Sequence, residues 1–528
     1  RRKAMASKEF RVTYTDVAAL QSEEYHERFD AALEEVGERL GRHHPNVVGG
    51  EEVYSREGEF TVRSPVDEEI LLGYFQKGTR EDARRAIEVA WGNFDAWSSS
   101  SYGNRVAVFR RAADLLSERS FQFAALMSYE VGKNRQEAMG DVGEGIGIMR
   151  YYADEMERNR GYRRVMGSVG KETGRSVLKP YGVWGVISPF NFPLALTLNM
   201  STGVLLTGNT EVFKPSSEAP LTGLKLYRLL TEAGVPEGAL NFVAGPGGSV
   251  GAELVENRRV AGLVFTGSKK VGISSYEKFI RIAPRPFVAE LGGKNPTIVT
   301  AKADLDKAAN GVVKAAFGFG GQKCSACSRV YVDNEVKEEL VGRLVEKMEQ
   351  IRIGDPRKRD VDLGPLINER AYKRYRRSVA KAEKDGRVLI GGRVLTEGEF
   401  GRGYYVEPTL VTDLPEDHDL FKEELFVPFL VIAGVNSLDD ALSLANEVEY
   451  GLTSGIFSED EEEVQRFFDR IQAGVAYANR AASATTGAWP GVQPFGGWKY
   501  SGTSGKAALG EYYLPQFMRE QSQTVVSD

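Results

Sequence analysis

Between residues 183 and 280 the sequence repeats one pattern four times: a short apolar run, a turn, and a segment with helical spacing. The apolar runs are VWGVI, TEVFK, ALNFV and VAGLVFT. Apolar runs that alternate with helices at intervals of roughly 20–30 residues are typical of βαβ units, whose strands pair in parallel. The repeat therefore predicts an open parallel sheet with helices packed on its faces.

A second α/β run begins near residue 284 and continues to about residue 460. Its apolar runs include PTIV, RVYV and FLVIAGV, each followed by a helical pattern. A chain of 528 residues also exceeds what one hydrophobic core normally organises. We therefore predict two α/β domains, which join between Phe287 and Pro296.

The segment before the first repeat predicts helices and a hairpin. Residues 16–40 have helical spacing, and residues 59–78 alternate around turns as a hairpin does. Thr79 precedes a helical segment, and Asp82 follows it at the spacing of a capping box. One face of this helix is predicted to be buried, with Ala83, Ile87, Ala90 and Trp91 on it.

The composition limits the partners of the chain. Hydrophobic residues make up 42% and charged residues 27%, with a net charge of −6, so no nucleic acid partner is predicted. No run of about 18 apolar residues occurs, so no membrane insertion is predicted. The N-terminal segment lacks the apolar stretch of a secretory signal, and only two cysteines occur. These features predict a cytoplasmic protein.

Both cysteines lie in GQKCSACSR, at positions 324 and 327. A structural zinc site needs four ligands, and none of the four histidines has ligand spacing from this pair, so no metal is predicted. A thioredoxin-type CxxC follows a strand near the start of a small βαβ unit, whereas this pair lies past the middle of a long chain. The remaining interpretations are a structural thiol and a nucleophile.

Polar residues that follow apolar runs suggest where chemistry takes place. Gly267 and Ser268 precede a helix, whose free N–H groups can bind a pyrophosphate, and Lys214 can reach ribose hydroxyls. An ordinary turn and a solvated lysine are the alternatives for these positions. Asn191, in SPFNFP, is a rigidly held donor suited to an oxyanion. Glu290, in the apolar context FVAELGG, is predicted to have a raised pKa and to act as a general base.

The motifs SPFNFP, FKPSS, FTGS, ELGGKNP, GQKCSAC, EELF and PFGGWKYSG occur in this order. Together they resemble the aldehyde dehydrogenase family from about residue 40 to the end of the chain. The resemblance implies two doubly wound open-sheet domains, one for the cofactor and one for catalysis, plus a small β oligomerisation flap in a homo-oligomer. It places the NAD-binding domain at 1–158 and 182–289, the catalytic domain at 290–500, and the flap at 159–181 and 501–528.

The resemblance also assigns roles to the candidate residues. It implies that Cys324 is the nucleophile, that Cys327 is a bystander, that Asn191 holds the oxyanion, and that Glu290 activates the water that hydrolyses a thioester. The implied cofactor is NAD, bound by Ile187, Lys214, Ser217, Gly267, Ser268, Glu424 and Phe426. Ser217 occupies a position where many NAD-preferring members have glutamate, so NADP is also predicted to be accepted. Val427 departs from the glycine that many members have.

Within the family, GQKCSACSR, the block 477–507 and YYLPQFMREQSQT are most similar to members that oxidise L-glutamate γ-semialdehyde to L-glutamate in proline catabolism. For these members the resemblance implies a clamp for the substrate carboxylate at Ser325, Gly487 and Ala488. Successive backbone N–H groups can form such an anion site without a charged residue. The other implied substrate-binding residues are Phe192 and Phe495, as aromatic walls, and Glu144.

Four alternative functions are weighed against this one. They are an aldehyde dehydrogenase for another semialdehyde, a CoA-acylating relative, a non-catalytic relative, and a CxxC thiol–disulfide oxidoreductase. Glu290 argues against CoA acylation because a hydrolytic glutamate would compete with CoA for the thioester. The combination of Cys324, Glu290 and Asn191 argues against a non-catalytic protein.

Overall fold

The structure is a computed structural model that describes residues 22–527. A seven-stranded sheet, called the first sheet below, contains the four-fold repeat found in the sequence. From one edge to the other its strands are Phe287–Glu290, Val260–Thr266, Val183–Ile187, Thr210–Lys214, Leu240–Phe242, Asn46–Val48 and Glu51–Val53. The first five strands are parallel to one another, so the predicted parallel sheet is present. Asn46–Val48 is antiparallel to Leu240–Phe242, and Glu51–Val53 is antiparallel to Asn46–Val48.

The second sheet also has seven strands. In order they are Arg387–Ile390, Thr409–Thr412, Phe429–Val435, Cys327–Asp333, Asn295–Val299, Thr453–Phe457 and Val475–Ala478. All neighbours are parallel except the edge strand Arg387–Ile390. The chain therefore passes from one sheet to the other between Glu290 and Asn295, inside the interval where the sequence predicts the domains to join.

Helices cover the faces of both sheets. Strands buried on both sides can be apolar or neutral throughout rather than alternating, as the wholly buried strand Thr453–Phe457 (TSGIF) illustrates. The α-helices of the described residues are Glu23–Gly37, Arg80–Ser99, Tyr102–Glu118, Ser120–Val131, Arg135–Arg158, Ala195–Leu206, Pro220–Ala233, Ala252–Glu256, Lys269–Ile282, Leu305–Phe317, Lys337–Glu349, Glu369–Asp385, Asp419–Lys422, Leu438–Asn446 and Glu461–Arg470.

The helix predicted after Thr79 has the predicted capping box, in which the Thr79 hydroxyl accepts from Asp82 N and the Asp82 carboxylate accepts from Thr79 N. Three of the four residues predicted for its buried face are buried, but Trp91 is 52% exposed. Position 91 lies at the flank of that face, where its ring contacts the Arg259 guanidinium at 5.6 Å. Of the predicted helical segment 16–40, residues 16–21 lie outside the described part of the chain, and the rest forms Glu23–Gly37.

Three smaller sheets complete the strand structure of residues 22–527. The predicted hairpin forms from Glu59–Arg63 and Leu71–Gln76, with Arg42–His44 added in parallel, and Tyr450–Gly451 pairs with Trp498–Lys499. The third sheet consists of Arg163–Val169, Glu172–Pro180 and Met518–Val526.

This third sheet contains part of the predicted flap. The flap was expected to include residues 501–528, but only Met518–Val526 of that segment joins the sheet. Thr503 instead donates to Phe287 O at 2.7 Å and accepts from Ala289 N at 2.9 Å, so the segment from 501 packs against the first sheet. The reason is that the edge strand Phe287–Glu290 needs partners for its free backbone groups.

One close helix contact positions the centre of the molecule. Helix Arg135–Arg158 packs against the largely buried helix Ala195–Leu206 at Gly145, where a Cβ would lie 2.7 Å from Leu198 Cδ1. A larger residue at position 145 would require the Leu198 side chain to shift. No helix in the described part of the chain combines the length and apolar character that crossing a membrane requires.

Candidate active site

The carboxyl ends of four neighbouring strands lie along one edge of the first sheet. In the strand register Ile187 pairs with both Lys214 and Phe265, and Thr266 pairs with Glu290. Ligands of open parallel sheets bind beyond the carboxyl ends of the strands. The sheet therefore brings the predicted cofactor residues and the predicted base to one edge.

A helix N-terminus faces the same edge. Ser268 caps helix Lys269–Ile282 through a hydrogen bond from Val271 N to its hydroxyl at 3.5 Å, and Gly267 N donates to Glu290 O at 3.2 Å. Free N–H groups and the helix dipole make such an end suited to a phosphate. Nearby, Gly247 and Gly248 have no atom within 4 Å of an added Cβ, so the turn after Leu240–Phe242 leaves open space.

Lys214 is buried and has no carboxylate partner within residues 22–527. Its ammonium donates to Pro215 O at 3.1 Å, and burial lowers its pKa to about 8. Its remaining N–H bonds are available to a ligand hydroxyl. Ser217 lies in the exposed turn that follows.

Glu424 and Phe426 approach the edge from the side of the second sheet. Glu424 accepts a hydrogen bond from Gly293 N at 3.0 Å, and burial raises its pKa to about 7. Phe426 has a left-handed backbone (φ +57°) and its ring meets that of Phe190 edge-on, with centroids 6.0 Å apart. Val427 is buried and its φ is not positive, so this position does not need the glycine that many family members have.

Cys324 lies in a turn that precedes a strand of the second sheet, and it is half-buried and free. The side chain of Asn295 holds this turn: its amide donates to Cys324 O at 2.7 Å and to Ala326 O at 2.9 Å. The Asn295 carbonyl in turn accepts from Thr453 N at 3.0 Å. Sequence reasoning missed this role, although a polar residue before proline at the end of the motif ELGGKNP was a signal for it.

Cys327 has a different environment. It begins the strand Cys327–Asp333, is 1% exposed, and its sulfur lies 3.2 Å from the Thr297 hydroxyl within the core of the second sheet. The two cysteines do not form a disulfide with each other. The pair precedes a strand instead of following one, which is not the position of a thioredoxin-type dithiol. Within residues 22–527 no cluster of three or more potential ligands could hold a metal ion.

Glu290 ends its strand with an unpaired carboxylate oxygen. Its Oε1 is buried and has no hydrogen-bond partner among residues 22–527. Burial, together with the like charge of Glu144, raises its pKa to about 8. A cavity of about 30 Å³ adjoins it, lined also by the polar side chains of Asn199, Ser504 and Tyr513. A cavity needs roughly 10–15 Å³ to hold one water molecule. This cavity can therefore hold water beside the Glu290 carboxylate.

Three glutamates, Glu290, Glu424 and Glu144, lie within electrostatic reach of Cys324. Burial raises the pKa of the Cys324 thiol well above its usual value, and the charges of Glu290, Glu424 and Glu144 raise it further. The Ser325 N–H opposes this shift by donating to the sulfur. Burial also raises the pKa of Glu144 to about 8. Three carboxyls with raised pKa values beside one thiol are typical of a site built for proton transfer.

Asn191 is 4% exposed, and its side-chain amide donates to no group within residues 22–527. A buried ion pair supports its segment: Lys133 donates to Asp141 at 2.8 Å, and Asp141 accepts from Ala195 N at 2.7 Å. The Lys133 ammonium also lies 3.9 Å from the Phe192 ring centroid and 5.0 Å from that of Phe319. Phe319 precedes the turn that contains Cys324, so Lys133 links that turn to the segment of Asn191. This pair was not predicted from the sequence.

The predicted carboxylate clamp is joined by a hydrogen bond to the turn that contains Cys324. The Thr485 hydroxyl donates to Ser325 O at 2.7 Å, and Ser325 is buried. Gly487 has a left-handed φ of +98°, and Ala488 is 8% exposed. Of the predicted aromatic walls, Phe192 packs under Lys133, while Phe495 is buried and exchanges two backbone hydrogen bonds with Ala508.

With this geometry established, the chain can be compared with known proteins. Residues 53–523 match the aldehyde dehydrogenase family. The chain therefore belongs to the aldehyde dehydrogenase family and has its mixed α/β fold, which confirms the predicted family and fold class.

Three similar proteins have the same name. The chain is 37% identical over 502 residues to a 1-pyrroline-5-carboxylate dehydrogenase from Geobacillus thermodenitrificans, covering 94% of this chain and 95% of that protein. It is 36% identical over 499 residues to one from Bacillus mycoides, with the same coverage. A crystal structure of 1-pyrroline-5-carboxylate dehydrogenase from Thermus with bound NAD superposes with a TM-score of 0.91, at 35% identity, over 96% of this chain and 97% of that one.

Proposed function

We propose that this enzyme oxidises L-glutamate γ-semialdehyde, the open form of 1-pyrroline-5-carboxylate, to L-glutamate in proline catabolism. The observation that supports this most is the convergence of a free thiol, Cys324, and an unpaired buried carboxylate, Glu290, at the carboxyl edge of a parallel sheet. Similarity over 94% of the chain to enzymes named for this reaction supports the substrate.

The residues present fit a dinucleotide. Space beside Gly247 and Gly248, the helix N-terminus at Ser268 and the free ammonium N–H bonds of Lys214 suit phosphate and ribose groups. Ile187, Ser217, Gly267, Glu424 and Phe426 complete the proposed cofactor site. When bound, NAD or NADP supplies the hydride acceptor of the reaction.

The protein residues perform the other steps. The Cys324 thiol gives its proton to water, the sulfur adds to the aldehyde carbon, and the Asn191 amide donates to the oxygen that becomes negative. Loss of hydride leaves an acyl group bound to the sulfur as a thioester. Glu290 takes a proton from a water molecule, whose oxygen attacks the thioester carbon. The carbon–sulfur bond breaks, the acid is released, and the thiolate takes the proton from Glu290, which regenerates both the thiol and the base.

The substrate site is proposed to hold the far end of the semialdehyde. Ser325, Gly487 and Ala488 would bind its carboxylate, Phe192 and Phe495 would flank its aliphatic chain, and Glu144 would lie near its polar end. The buried hydroxyl-bearing turn at Ser325, tied to Thr485, supports this arrangement because it places the clamp beside the nucleophile.

The remaining proposals concern organisation. We propose an NAD-binding domain at 1–158 and 182–289 and a catalytic domain at 290–500, because each contains one seven-stranded sheet. We also propose a homo-oligomer assembled through the third sheet, in which the strand Arg163–Val169 is exposed along its whole length. A cytoplasmic location is proposed because a catalytic thiol requires a reducing environment.

The direct test is a dehydrogenase assay with purified protein. NAD and NADP reduction should be fastest with L-glutamate γ-semialdehyde and slower with succinate semialdehyde and uncharged aldehydes. A preference for another semialdehyde would keep the family and reject the substrate. Acyl transfer to CoA in place of hydrolysis would reject the role of Glu290.

A further inference from the structure

The backbone of the proposed clamp contains unused hydrogen-bond donors. Neither the Gly487 N–H nor the Ala488 N–H donates to any group within residues 22–527, although Ala488 is buried. Buried backbone N–H groups are paired in more than about 90% of cases in folded proteins. Two adjacent unpaired donors in a folded loop therefore indicate a position where a ligand supplies the acceptor.

The carbonyl oxygen of the Gly487–Ala488 peptide accepts two hydrogen bonds. The Gly487 oxygen accepts from the Tyr477 hydroxyl at 2.5 Å and from Arg480 Nη1 at 3.1 Å. The Arg480 guanidinium also lies 4.8 Å from the centroid of the Tyr477 ring, so the two side chains form one unit. In a planar trans peptide the C=O and the following N–H point in opposite directions. Fixing the Gly487 oxygen therefore fixes the direction of the Ala488 N–H, away from Tyr477 and Arg480.

The two bonds also affect the strength of the donor. Hydrogen bonds to a carbonyl polarise the peptide unit and strengthen its N–H as a donor by about 10–30% per bond. Arg480 adds a charge: it is half-buried and forms no ion pair with any carboxylate within residues 22–527. An uncompensated positive charge behind the peptide attracts an anion on the other side of it.

Other contacts keep Arg480 in place. Asn479 has a left-handed backbone. Its side chain accepts a hydrogen bond from Ser458 N at 2.9 Å and donates one to Ser458 O at 2.7 Å. The loop then packs on helix Leu305–Phe317, where a Cβ on Gly311 would lie 2.7 Å from Arg480 O. A Cβ on Gly487 would lie 2.6 Å from Arg480 Nη2. Glycine at position 487 therefore permits both the backbone conformation and the approach of the guanidinium.

Tyr477 is close to the reaction centre as well. It is 5% exposed in the edge strand Val475–Ala478 of the second sheet, and the charges of Cys324 and Glu144 act on it. The pair of side chains thus lies between the core of the second sheet and the substrate end of the site.

We propose that Tyr477 and Arg480 are positioning residues that determine specificity for aldehydes with a distal carboxylate. They hold and polarise the Gly487–Ala488 peptide so that its N–H binds that carboxylate, and Arg480 supplies the attracting charge without touching the substrate. This inference deepens the proposed function and rests on its substrate class. It adds a basic residue to a clamp that the sequence predicted to work without one.

The test compares two substrates in three variants. Tyr477→Phe removes one hydroxyl and should lower kcat/KM for L-glutamate γ-semialdehyde about 3- to 10-fold. Arg480→Met removes the charge and should lower it about 10- to 100-fold, with Arg480→Lys between the two. The loss should be in KM more than in kcat, and kcat/KM for pentanal, which has no carboxylate, should change less than about twofold.

A binding measurement separates this proposal from the proposed function. Glutarate has two carboxylates and no aldehyde, so its inhibition constant against pentanal oxidation reports on the clamp without turnover of a semialdehyde. If the wild type does not oxidise glutamate semialdehyde, the proposed function fails, whereas a weaker glutarate inhibition in Arg480→Met would still support the clamp. In the double variant that combines Tyr477→Phe with Arg480→Met, kcat/KM for the semialdehyde should fall by less than the product of the two single fold-losses. The reason is that both side chains act on one carbonyl.

Matched controls exclude nonspecific effects. Tyr54→Phe and Arg393→Met remove the same groups from exposed pairs with Glu52 and Glu407, far along the chain from the site, and should leave both substrates unchanged. Equal losses for semialdehyde and pentanal, or an unchanged glutarate inhibition constant in Arg480→Met, would overturn the proposal. Unchanged thermal midpoints and NAD affinity show that a measured loss is not due to misfolding.

Discussion

At the cofactor edge, the register of four parallel strands alone brings Ile187, Lys214 and Glu290 together. At the substrate end, single side chains hold the backbone: Asn295 binds the Cys324 turn, and Arg480 binds the Gly487 carbonyl. A sheet edge consists of many backbone hydrogen bonds and tolerates the loss of one side chain. A turn held by one amide does not, so substitutions at the two regions should differ in what they change and by how much.

The largest effect is expected at the nucleophile. Cys324→Ser replaces a thiol by a hydroxyl that is far less acidic, so dehydrogenase turnover should fall by at least about 10³-fold. NAD binding should persist, because the cofactor edge is built by the other sheet. Cys327→Ser is the matched control: it lies in the core and should keep most activity, as measured by NADH formation. Loss of activity in Cys327→Ser alone would favour the thiol–disulfide alternative.

Glu290→Gln should separate the two halves of the reaction. Acylation and hydride loss do not need the base, so a burst of about one NADH per site should survive while steady-state turnover falls about 10²- to 10⁴-fold. Rapid-mixing absorbance measures both phases. Equal loss of burst and steady state would mean that Glu290 instead activates the thiol.

The pH dependence tests the link between Glu290 and Glu144. A general base must be deprotonated, so the hydrolysis rate should rise with pH, with its midpoint near the Glu290 pKa of about 8, and level off above it. The Glu144 charge raises that pKa, so Glu144→Gln should move the midpoint of the rise to lower pH. Single-turnover rates of thioester hydrolysis give the midpoint directly. A midpoint that stays fixed in Glu144→Gln would show that burial alone sets it.

The same contrast explains what could be predicted from the sequence. Strand ends, Ser268 as a helix cap and the residue types at the cofactor edge follow from local patterns, which extend over a few residues. Asn295 and Arg480 act through hydrogen bonds to turns 29 and 7 residues away, and no local pattern reports such partners. The contact of the segment at residue 501 with the first sheet could not be predicted for the same reason, since Thr503 bonds to a strand more than 200 residues earlier.

An intermediate effect is expected at Asn295. Asn295→Asp keeps the oxygen that accepts from Thr453 N but replaces the donor to Cys324 O and Ala326 O with an acceptor. Two carbonyls then lose their partner and face a carboxylate, so kcat should fall about 10- to 100-fold and stability by about 2–4 kcal/mol.

The matched change Asn436→Asp, in an exposed pair with Asn334, should alter neither quantity. Kinetics and thermal unfolding of both variants check this. A less stable Asn295→Asp enzyme with normal kcat would limit Asn295 to a structural role.

The smallest effect is expected at the cofactor edge, from Ser217→Glu. Ser217 is exposed and cannot repel the 2′-phosphate of NADP, whereas a glutamate there would add a negative charge near that phosphate and an acceptor for the ribose hydroxyls of NAD. Because two unit charges in bulk water interact by only about 1 kcal/mol at 4 Å, kcat/KM for NADP should fall about 10-fold at this exposed position while that for NAD stays equal or rises. Ser217→Ala should leave both cofactors unchanged, and glutamate semialdehyde KM should be the same in all three enzymes. If the substrate KM changes with the cofactor preference, the two regions are coupled, and the independence of the sheet edge from the substrate end is wrong.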